Sequence, residues 1–244
     1  MTQSESEATT SDPAAALLER ARQLSDDIHL TEVKRWKEEH PGQLAIGYLP
    51  IYVPRPLLEG IGCLPVAVFG GGDQVDIIRG DSYYQSYICH IPRSTLELAL
   101  NGSLDSLDGM LFPSICDVIR NLSGMWKMLF PEKYAAYVDL PQNFDPELGG
   151  KFYTLDMQRI QRELAQRGAG KFDAAKMRAA IVRENERRVA LAELDDLRCK
   201  EPFRVRASEA YLVARAGGTL EAADHTKLMR DFVAAVRQRA PRVY

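Results

Sequence analysis

Two cysteines, Cys89 and Cys116, stand out because each occupies the same kind of position in the sequence. Cys89 ends an aromatic, extended run over residues 83–88 and directly precedes a helical pattern. Cys116 follows the apolar run of residues 109–112 and precedes the helical pattern of residues 117–129. A thiol at the carboxyl end of a strand, just ahead of a helix, faces peptide N–H groups that favour anionic sulfur. The spacing therefore predicts two thiols in equivalent places on an α/β sheet.

The number and spacing of the other cysteines and histidines limit which metal these two thiols could bind. The sequence has no Cys-x-x-Cys pair and four histidines in all, which disfavours a structural zinc site. Iron–sulfur clusters are bound by cysteine thiolates but usually take four of them. The alternative is that both residues are ordinary buried thiols, since free cysteine is among the most buried residue types. Polar neighbours, His90 and Asp117, favour a functional site, and both interpretations stay open at this point.

The remaining cysteines and histidines receive simpler interpretations. Cys63, in a helix-to-strand turn, is predicted to be a core thiol, and Cys199, after a charged helix, a peripheral one. His90 is a candidate proton donor because it adjoins Cys89 and because histidine titrates near neutral pH. The alternative for His90 is a hydrogen-bonding role alone. The other histidines lie in or beside polar helical segments and are predicted to be surface residues: His29, His40 and His225.

Two further segments are glycine-rich or highly charged. Residues 70–73, Gly-Gly-Gly-Asp, lack the spacing of a dinucleotide-binding loop and the lysine of a P-loop. A turn that lets the backbone approach a neighbouring group is the simpler account. Residues 183–188, Arg-Glu-Asn-Glu-Arg-Arg, are predicted to be a solvated helix face with charge pairs one turn apart.

The elements that would position the two cysteines alternate along the first half of the chain. Strands are predicted at residues 44–49, 64–69, 109–112 and 134–140, with helices at residues 54–62, 93–100 and 116–129. This alternation predicts an α/β fold with a parallel sheet of about four strands flanked by helices. From residue 146 onward only helical patterns follow. The expected parts are a disordered tail, an α/β domain with N-terminal helices and a helical segment, at residues 1–12, 13–145 and 146–244.

Composition limits the class of protein. The chain has 244 residues, of which 45% are hydrophobic and 27% charged, as in ordinary globular proteins. Its net charge of −3 argues against a nucleic-acid-binding protein, which normally carries a basic surplus. We expect no membrane span and no secretory signal, because long apolar runs and the pattern of a signal are not found in the sequence. A cytoplasmic location, with reduced cysteines, is the resulting prediction.

Three segments carry a family resemblance. They read GYLP at residues 47–50, YICHIPRS at residues 87–94 and DGMLFPSICDVIR at residues 108–120. They resemble the benzoyl-CoA reductase and 2-hydroxyacyl-CoA dehydratase family. Within that family, residues 70–74 and 79–86 look most like the ATP-dependent benzoyl-CoA reductases, and the chain is most similar to their C-type subunit.

This resemblance, which spans about residues 13–240, implies a flavodoxin-like fold, a cofactor and a reaction. Cys89 and Cys116 would be two of three protein ligands to a 4Fe-4S cluster, with His90 beside them. The chain would be a subunit of a ferredoxin-linked oxidoreductase that converts benzoyl-CoA to a cyclohexadiene-carbonyl-CoA. Family members are longer, and their second α/β domain contributes the third cysteine. We therefore expect the third ligand outside this chain and assign neither Cys63 nor Cys199 to that position.

The resemblance also implies partners. They are a sister B-type subunit, ATP-hydrolysing electron-activating subunits, ferredoxin and the substrate benzoyl-CoA, in the anaerobic degradation of aromatic compounds. One alternative is a 2-hydroxyacyl-CoA dehydratase subunit, which would use a similar cluster to eliminate water through a radical. The other alternative, from a different class of function, is a non-catalytic structural or electron-relay subunit.

Overall fold

The computed structural model describes residues 12–239, which form nine α-helices and one four-stranded sheet. The strands are β1 (Ala45–Tyr48), β2 (Leu64–Ala67), β3 (Gly109–Pro113) and β4 (Tyr134–Val138). The helices are α1 (Ala15–Asp26), α2 (Thr31–Glu39), α3 (Arg55–Gly60), α4 (His90–Leu100), α5 (Asp117–Leu129), α6 (Lys151–Gln166), α7 (Ala174–Lys200), α8 (Ala207–Ala216) and α9 (Ala222–Val236). The predicted disordered tail lies outside the described residues except for Asp12, whose carboxylate accepts hydrogen bonds from Arg239.

The four strands are parallel and lie in the order β2-β1-β3-β4. The chain first adds β2 on one side of β1 and then crosses to add β3 and β4 on the other side. This is the strand order of flavodoxin-like folds, in which ligands bind beyond the carboxyl ends of the strands where the winding reverses. The predicted fold class, a parallel sheet of about four strands flanked by helices, is confirmed.

The strands are short and apolar because helices cover both faces of the sheet. Every residue of β1, β2 and β3 is buried, whereas burial alternates along the edge strand β4. On one face, Phe112 and Trp126 belong to a core that also includes Trp36 of α2. On the other face, Ile46 and Leu111 pack with residues of α3 and α6. Both layers leave the carboxyl edge of the sheet to loops.

Helices α7, α8 and α9 form a third apolar cluster, which α1 from the start of the chain joins. Helix α7 begins at Asp173, whose carboxylate accepts the N–H groups of Ala175 and Lys176 as an N-cap. It packs against α9 on one side and α3 on the other, so it connects the helical part to the sheet. Among the described helices, none combines the length and apolar composition needed to cross a bilayer.

Candidate functional site

Cys116 lies just beyond β3 and is the residue from which α5 begins. Its backbone is extended, with φ −161° and ψ 169°, so the chain passes from strand to helix at this residue. The side chain of Cys116, the N-cap residue, makes no capping hydrogen bond to the start of α5. The first N–H groups of a helix lack partners within the helix, and together with the helix dipole they attract an anion. The thiol is free and exposed, as a sulfur ligand for an external group must be.

Cys89 occupies the equivalent place at α4. The helix begins at His90, and Cys89 precedes it with φ −44°, ψ 137° and no side-chain cap. The nearby Ser94 hydroxyl does not cap the helix start. It accepts a hydrogen bond from the N–H of Gly71 at 3.1 Å and donates one to the His90 carbonyl. Cys89 is also free and exposed. The prediction that both thiols stand directly before helices is confirmed.

The segment before Cys89 is not the extended run that the sequence suggested. It contains a 3-10 turn at Gly80–Ser82 followed by further turns and bends. The aromatic pattern was misleading because Tyr83 and Tyr87 point to solvent, with 44% and 82% of their surface exposed. Tyr84 alone of these tyrosines packs against the core. The segment is a loop anchored by one aromatic ring, and the prediction of a strand ending at Cys89 is wrong.

Glu97 of α4 fixes the start of this loop. It is 5% exposed, and one carboxylate oxygen accepts the N–H of Ile78 at 2.9 Å and the N–H of Gly80 at 2.8 Å. A buried carboxylate is stable when its oxygens receive such hydrogen bonds. The sequence carried a signal for this role, because Glu97 interrupts the apolar stretch of α4.

Arg93 of α4 fixes the end of the loop. Its guanidinium donates to both carboxylate oxygens of Asp81 at 2.7 Å, the planar two-bond geometry typical of a strong arginine–carboxylate pair. It also reaches the carbonyl groups of Ser86 and Ile88, at 3.1 and 3.4 Å. Because these carbonyls lie three residues and one residue before Cys89, Arg93 sets the path of the backbone that presents the thiol.

Tyr84 brings the Cys89 loop close to Cys116. Its hydroxyl is buried and makes no hydrogen bond to any described residue. Burial raises the pKa of Tyr84, and the negative charge of a Cys116 thiolate raises it further. The phenol therefore stays a neutral hydrogen-bond donor. An unsatisfied buried donor is costly and calls for an acceptor. A sulfur-rich group held by Cys116 would supply one.

These residues fit part of the ligand set of an iron–sulfur cluster. Cys89 and Cys116 offer two exposed thiols at helix starts, and Tyr84 offers a nearby donor to sulfur. Within residues 12–239, no three His, Cys, Asp or Glu side chains come together in a way that could hold a metal. The remaining ligands of such a cluster would therefore have to come from outside the described residues.

Two cavities open along the same edge of the sheet. Cys116, Asp117 and Arg120 line the first, which has a volume of about 540 Å³. The second, of about 700 Å³, is lined by arginines and aromatic rings. Tyr52 and Leu140 line both cavities, so they form the wall between them. Pockets of this size suit small-molecule ligands.

Two strained residues, Ile51 and Tyr52, follow β1; both line the second cavity, and Tyr52 also lines the first. Both have left-handed backbone conformations, with φ 87° and φ 64°. Such values are rare for residues other than glycine and are outliers for a β-branched residue such as isoleucine. Both side chains are more than half exposed, so core packing does not account for the strain. Strain of this kind concentrates at functional sites.

The other cysteines and His90 can also be placed. Cys63 is buried as predicted, and burial together with the Asp108 carboxylate raises the pKa of its thiol to about 12. Cys199 is exposed at the end of α7, as predicted. His90 is the first residue of α4 and its side chain is exposed. Its catalytic role stays a prediction.

The sequence pattern did not predict the buried charge network that lines the second cavity. Glu184, in the run expected to be solvated, is 3% exposed and accepts two hydrogen bonds from Arg187, at 2.6 and 2.9 Å. Burial alone would raise the pKa of Glu184, but Arg187, Arg55 and Arg188 hold it below its ordinary value. The expectation that all six residues of this run face solvent is wrong.

His225, expected at the surface, is also buried, with no exposed area. Its Nε2 lies 2.9 Å from the Val213 carbonyl oxygen and therefore carries the proton, while Nδ1 lies 3.5 Å from Arg187. Burial first, and then the charge of Arg187, lower the pKa of His225 to about 4. A signal existed in the sequence, because His225 lies on the same stripe of α9 as Met229 and Phe232.

The fold and the site define a class of protein: a parallel α/β protein that presents two free thiols, each before a helix, along the edge where such sheets bind ligands. Comparison with known proteins identifies the family. Residues 50–244 match the family model described as 2-hydroxyglutaryl-CoA dehydratase, D-component. The chain belongs to this family, which confirms the resemblance found in the sequence.

Individual relatives include a reductase and dehydratases. The chain is 44% identical over 221 residues to the C-type subunit of benzoyl-CoA reductase from Thauera aromatica. It is 26% identical over 206 residues to the beta subunit of (R)-phenyllactyl-CoA dehydratase from Clostridium sporogenes. It is 28% identical over 222 residues to the beta subunit of (R)-2-hydroxyglutaryl-CoA dehydratase from Acidaminococcus fermentans.

The comparisons cover most of this chain but a smaller share of each relative. They include 91%, 84% and 89% of the chain, and 57%, 54% and 56% of the reductase and the two dehydratase subunits respectively. The chain thus spans little more than half the length of these relatives. Their names describe subunits of oxidoreductase and dehydratase enzymes, and hence parts of assemblies with other subunits.

Proposed function

We propose that this chain is part of a C-type subunit of ATP-dependent benzoyl-CoA reductase, in which Cys89 and Cys116 hold a 4Fe-4S cluster. The observation that carries the proposal is the pairing of 44% identity to a benzoyl-CoA reductase subunit with two free thiols at equivalent helix starts. The third cysteine ligand comes from outside this chain. The enzyme dearomatises benzoyl-CoA to a cyclohexadiene-carbonyl-CoA with electrons from ferredoxin.

The residues of this chain hold and tune the cluster. When bound, a 4Fe-4S cluster supplies single-electron transfer at low potential. The Cys89 and Cys116 thiolates would bind iron, and the first N–H groups of α4 and α5 would donate hydrogen bonds to sulfur and stabilise its negative charge. The Tyr84 hydroxyl is a further donor. Arg93 and Glu97 keep the loop before Cys89 in place, which limits the motion of that ligand.

His90 and the first cavity complete the proposed site. His90 is exposed beside Cys89, where a neutral imidazole can accept a proton from solvent and an imidazolium can donate one. In this proposal it supplies protons during reduction. In this proposal the cavity lined by Cys116 is the space through which the substrate reaches the cluster.

The partners follow from the same proposal. The relatives are named as subunits, which supports assembly with a sister B-type subunit. Electrons reach this module from ATP-hydrolysing electron-activating subunits, which ferredoxin reduces. No nucleic acid and no membrane are involved. The site of action is the cytoplasm.

A dehydratase subunit is the second candidate, favoured by the 26% and 28% identities to dehydratase beta subunits. It would use a similar cluster to eliminate water from a 2-hydroxyacyl-CoA. Substrate assays with the anaerobically purified complex separate the two. Oxidation of reduced ferredoxin that depends on benzoyl-CoA supports the reductase. Turnover of a 2-hydroxyacyl-CoA without such oxidation supports the dehydratase.

Iron and sulfide analysis of the same complex tests the ligands. We expect Cys89→Ser and Cys116→Ser each to lower the iron and sulfide content by about one cluster per copy of this chain. Cys199→Ser is the matched control, since Cys199 is an exposed thiol away from the two helix starts. Unchanged iron in both site variants would remove the ligand assignment and leave a structural subunit as the function.

A further inference from the structure

A third cavity, of about 370 Å³, opens at the amino edge of the sheet, opposite the edge that carries the two cysteines. Gln43, which precedes β1, and Gly62, which precedes β2, both belong to its lining. The loop between α6 and α7 borders it, held by a hydrogen bond of 2.8 Å from the Gly170 N–H to the Ile61 carbonyl. None of the residues that we assign to the cluster lines this cavity.

The lining of the third cavity has a surplus of positive charge. Its charged residues are one glutamate, two lysines and one arginine: Glu59, Lys171, Lys176 and Arg183. Neither lysine forms an ion pair with a described carboxylate, and Asp173, which stands between them in the sequence, uses its carboxylate to cap α7. Low-dielectric walls focus the field of such a cluster and raise the local concentration of anions. The third cavity is therefore suited to an anion.

Glu59 places a buried acceptor in the same lining. Its side chain is 6% exposed, and its Oε1 makes no hydrogen bond to a described residue. The ion pairs of Glu59 with Arg55 and Arg183 are 3.7 and 3.8 Å long, beyond the range of hydrogen bonds. Burial raises the pKa of the Glu59 carboxyl, and the charge of Arg55 offsets this only in part. A buried carboxylate in this position calls for a hydrogen-bond donor.

These charges limit which anion fits. The ligand must carry negative charge for the three cations and an O–H group for Glu59. Hydrogen phosphate carries both, because one of its oxygens keeps a proton at neutral pH. Sulfate has no proton to donate, and a phosphate monoester loses its last proton with a pKa of about 6. Glu59 therefore favours hydrogen phosphate over both of these ions.

We infer that the third cavity binds inorganic hydrogen phosphate, with its charged oxygens on Lys171, Lys176 and Arg183 and its hydroxyl group donating to Glu59. Lysine and arginine side chains are common ligands of phosphate oxygens in proteins. The inference goes beyond the proposed function, because the cavity lies at the other edge of the sheet from the cysteines. It would stand if the chain proved to hold no iron.

Titration calorimetry of the complex that contains the full chain, without ATP and at constant ionic strength, tests the inference. At slightly alkaline pH, inorganic phosphate should bind saturably, and sulfate and glycerol 3-phosphate should each bind about tenfold more weakly. If glycerol 3-phosphate bound as tightly as phosphate, the ligand would be an organic ester and the inference would be wrong. Equally tight sulfate, or no binding of phosphate, also overturns it.

Lysine variants locate the phosphate at the third cavity. Lys171→Gln and Lys176→Gln should each weaken phosphate binding about tenfold, as expected for the loss of one charge-assisted hydrogen bond. Lys34→Gln is the matched control, because Lys34 is an exposed lysine of α2 outside the lining. Wild-type affinity in both cavity variants would place the phosphate elsewhere and contradict the inference.

Glu59→Gln tests the selection among anions. Glutamine keeps the size of the side chain and can donate to any oxygen of the ligand, so sulfate should bind this variant about as tightly as phosphate. A preference for phosphate that survives in Glu59→Gln overturns the role of Glu59. Thermal unfolding and iron content are measured on every sample, which separates these results from loss of the fold or of the cluster.

Discussion

At the scale of single residues, the cysteines differ in their access to solvent. Cys89, Cys116 and Cys199 are exposed, whereas Cys63 is 3% exposed within the core under the sheet. Burial and the Asp108 carboxylate raise the pKa of Cys63 to about 12, so the reactive thiolate is scarce there at neutral pH. Cysteine thus fills space in the core at position 63, whereas at positions 89, 116 and 199 its thiol is accessible from solvent.

This difference predicts selective alkylation. In metal-free protein under native conditions, iodoacetamide should modify Cys89, Cys116 and Cys199 and leave Cys63 unmodified, as read by mass spectrometry of peptides. Adding denaturant should make all four react. Modification of Cys63 at the rate of Cys199 in the folded protein would contradict its assignment to the core.

His225 predicts a pH dependence of stability. Its pKa falls from 6.5 to about 4 on folding, chiefly because burial disfavours the charged ring. Below pH 6.5 the unfolded chain binds a proton that the folded chain does not bind until about pH 4. The stability that the neutral ring contributes is therefore present above pH 6.5 and lost as the pH falls to about 4, by on the order of 3 kcal/mol.

Denaturant unfolding at a series of pH values measures this loss. His225→Gln removes the titrating group, so its free energy of unfolding should vary less between pH 6.5 and 4 than that of the wild type. His29→Gln, a change at an exposed histidine, should keep the wild-type dependence. Parallel curves for the His225 variant and the wild type would show that His225 titrates normally.

At the scale of elements, the glycine loop after β2 is fitted to the start of α4. Gly70 has φ 78°, and a Cβ at this position would lie 2.5 Å from the Ser94 hydroxyl and 3.2 Å from the Ile91 carbonyl oxygen. Gly72 has φ 55° but open space around it. A side chain at Gly72 would therefore meet only the cost of a left-handed backbone, whereas a side chain at Gly70 would meet that cost and a clash with α4.

Alanine substitutions should show this difference. Gly72→Ala should lower the free energy of unfolding by about 1 kcal/mol, the usual cost of a left-handed residue with a side chain. Gly70→Ala should cost about 2–3 kcal/mol, because the added methyl group also displaces the first turn of α4. Chemical unfolding of both variants measures the difference. Equal losses would mean that the loop moves away from α4 without cost.

At the scale of the whole molecule, Arg55 connects the sheet layer to the helical part. It lies at the start of α3, donates to the Tyr48 hydroxyl at 2.8 Å, and reaches the carbonyls of Gly217 and Leu220 between α8 and α9. It also pairs with Glu184 of α7 at 3.5 Å. One buried side chain of α3 thus joins β1, helix α7 and the loop between α8 and α9.

Removing this connection should weaken the whole fold. Arg55→Met leaves the buried Glu184 with fewer positive partners and removes a donor from two carbonyls, those of Gly217 and Leu220, so we expect a loss of about 3–5 kcal/mol in the free energy of unfolding. Arg22→Met is the control, because Arg22 and Glu19 are both 60% exposed at their side chains and lie 3.9 Å apart, a surface pair expected to contribute less than about 1 kcal/mol. Chemical unfolding compares them, and similar losses would argue against a central role for Arg55.

The sequence by itself determined the elements and the places of the two thiols. The four strands are short apolar runs bounded by turn residues, and Cys89 and Cys116 stand directly before helical patterns. These are local properties, because a strand buried on both faces needs only apolar residues, and a helix start depends on the residues around it. The same locality accounts for the N-cap of α7, because Asp173 directly precedes the helix whose first N–H groups its carboxylate accepts.

Only the tertiary structure decided which polar side chains are buried and which partners they bond to. The loop before Cys89 is shaped by Glu97 and Arg93 rather than by its own aromatic pattern. Glu184 and His225 are buried because distant residues, Arg55 and the Val213 carbonyl among them, satisfy them there. Burial of a polar side chain depends on partners that no local pattern reveals, since its cost is offset only when the chain brings those partners together.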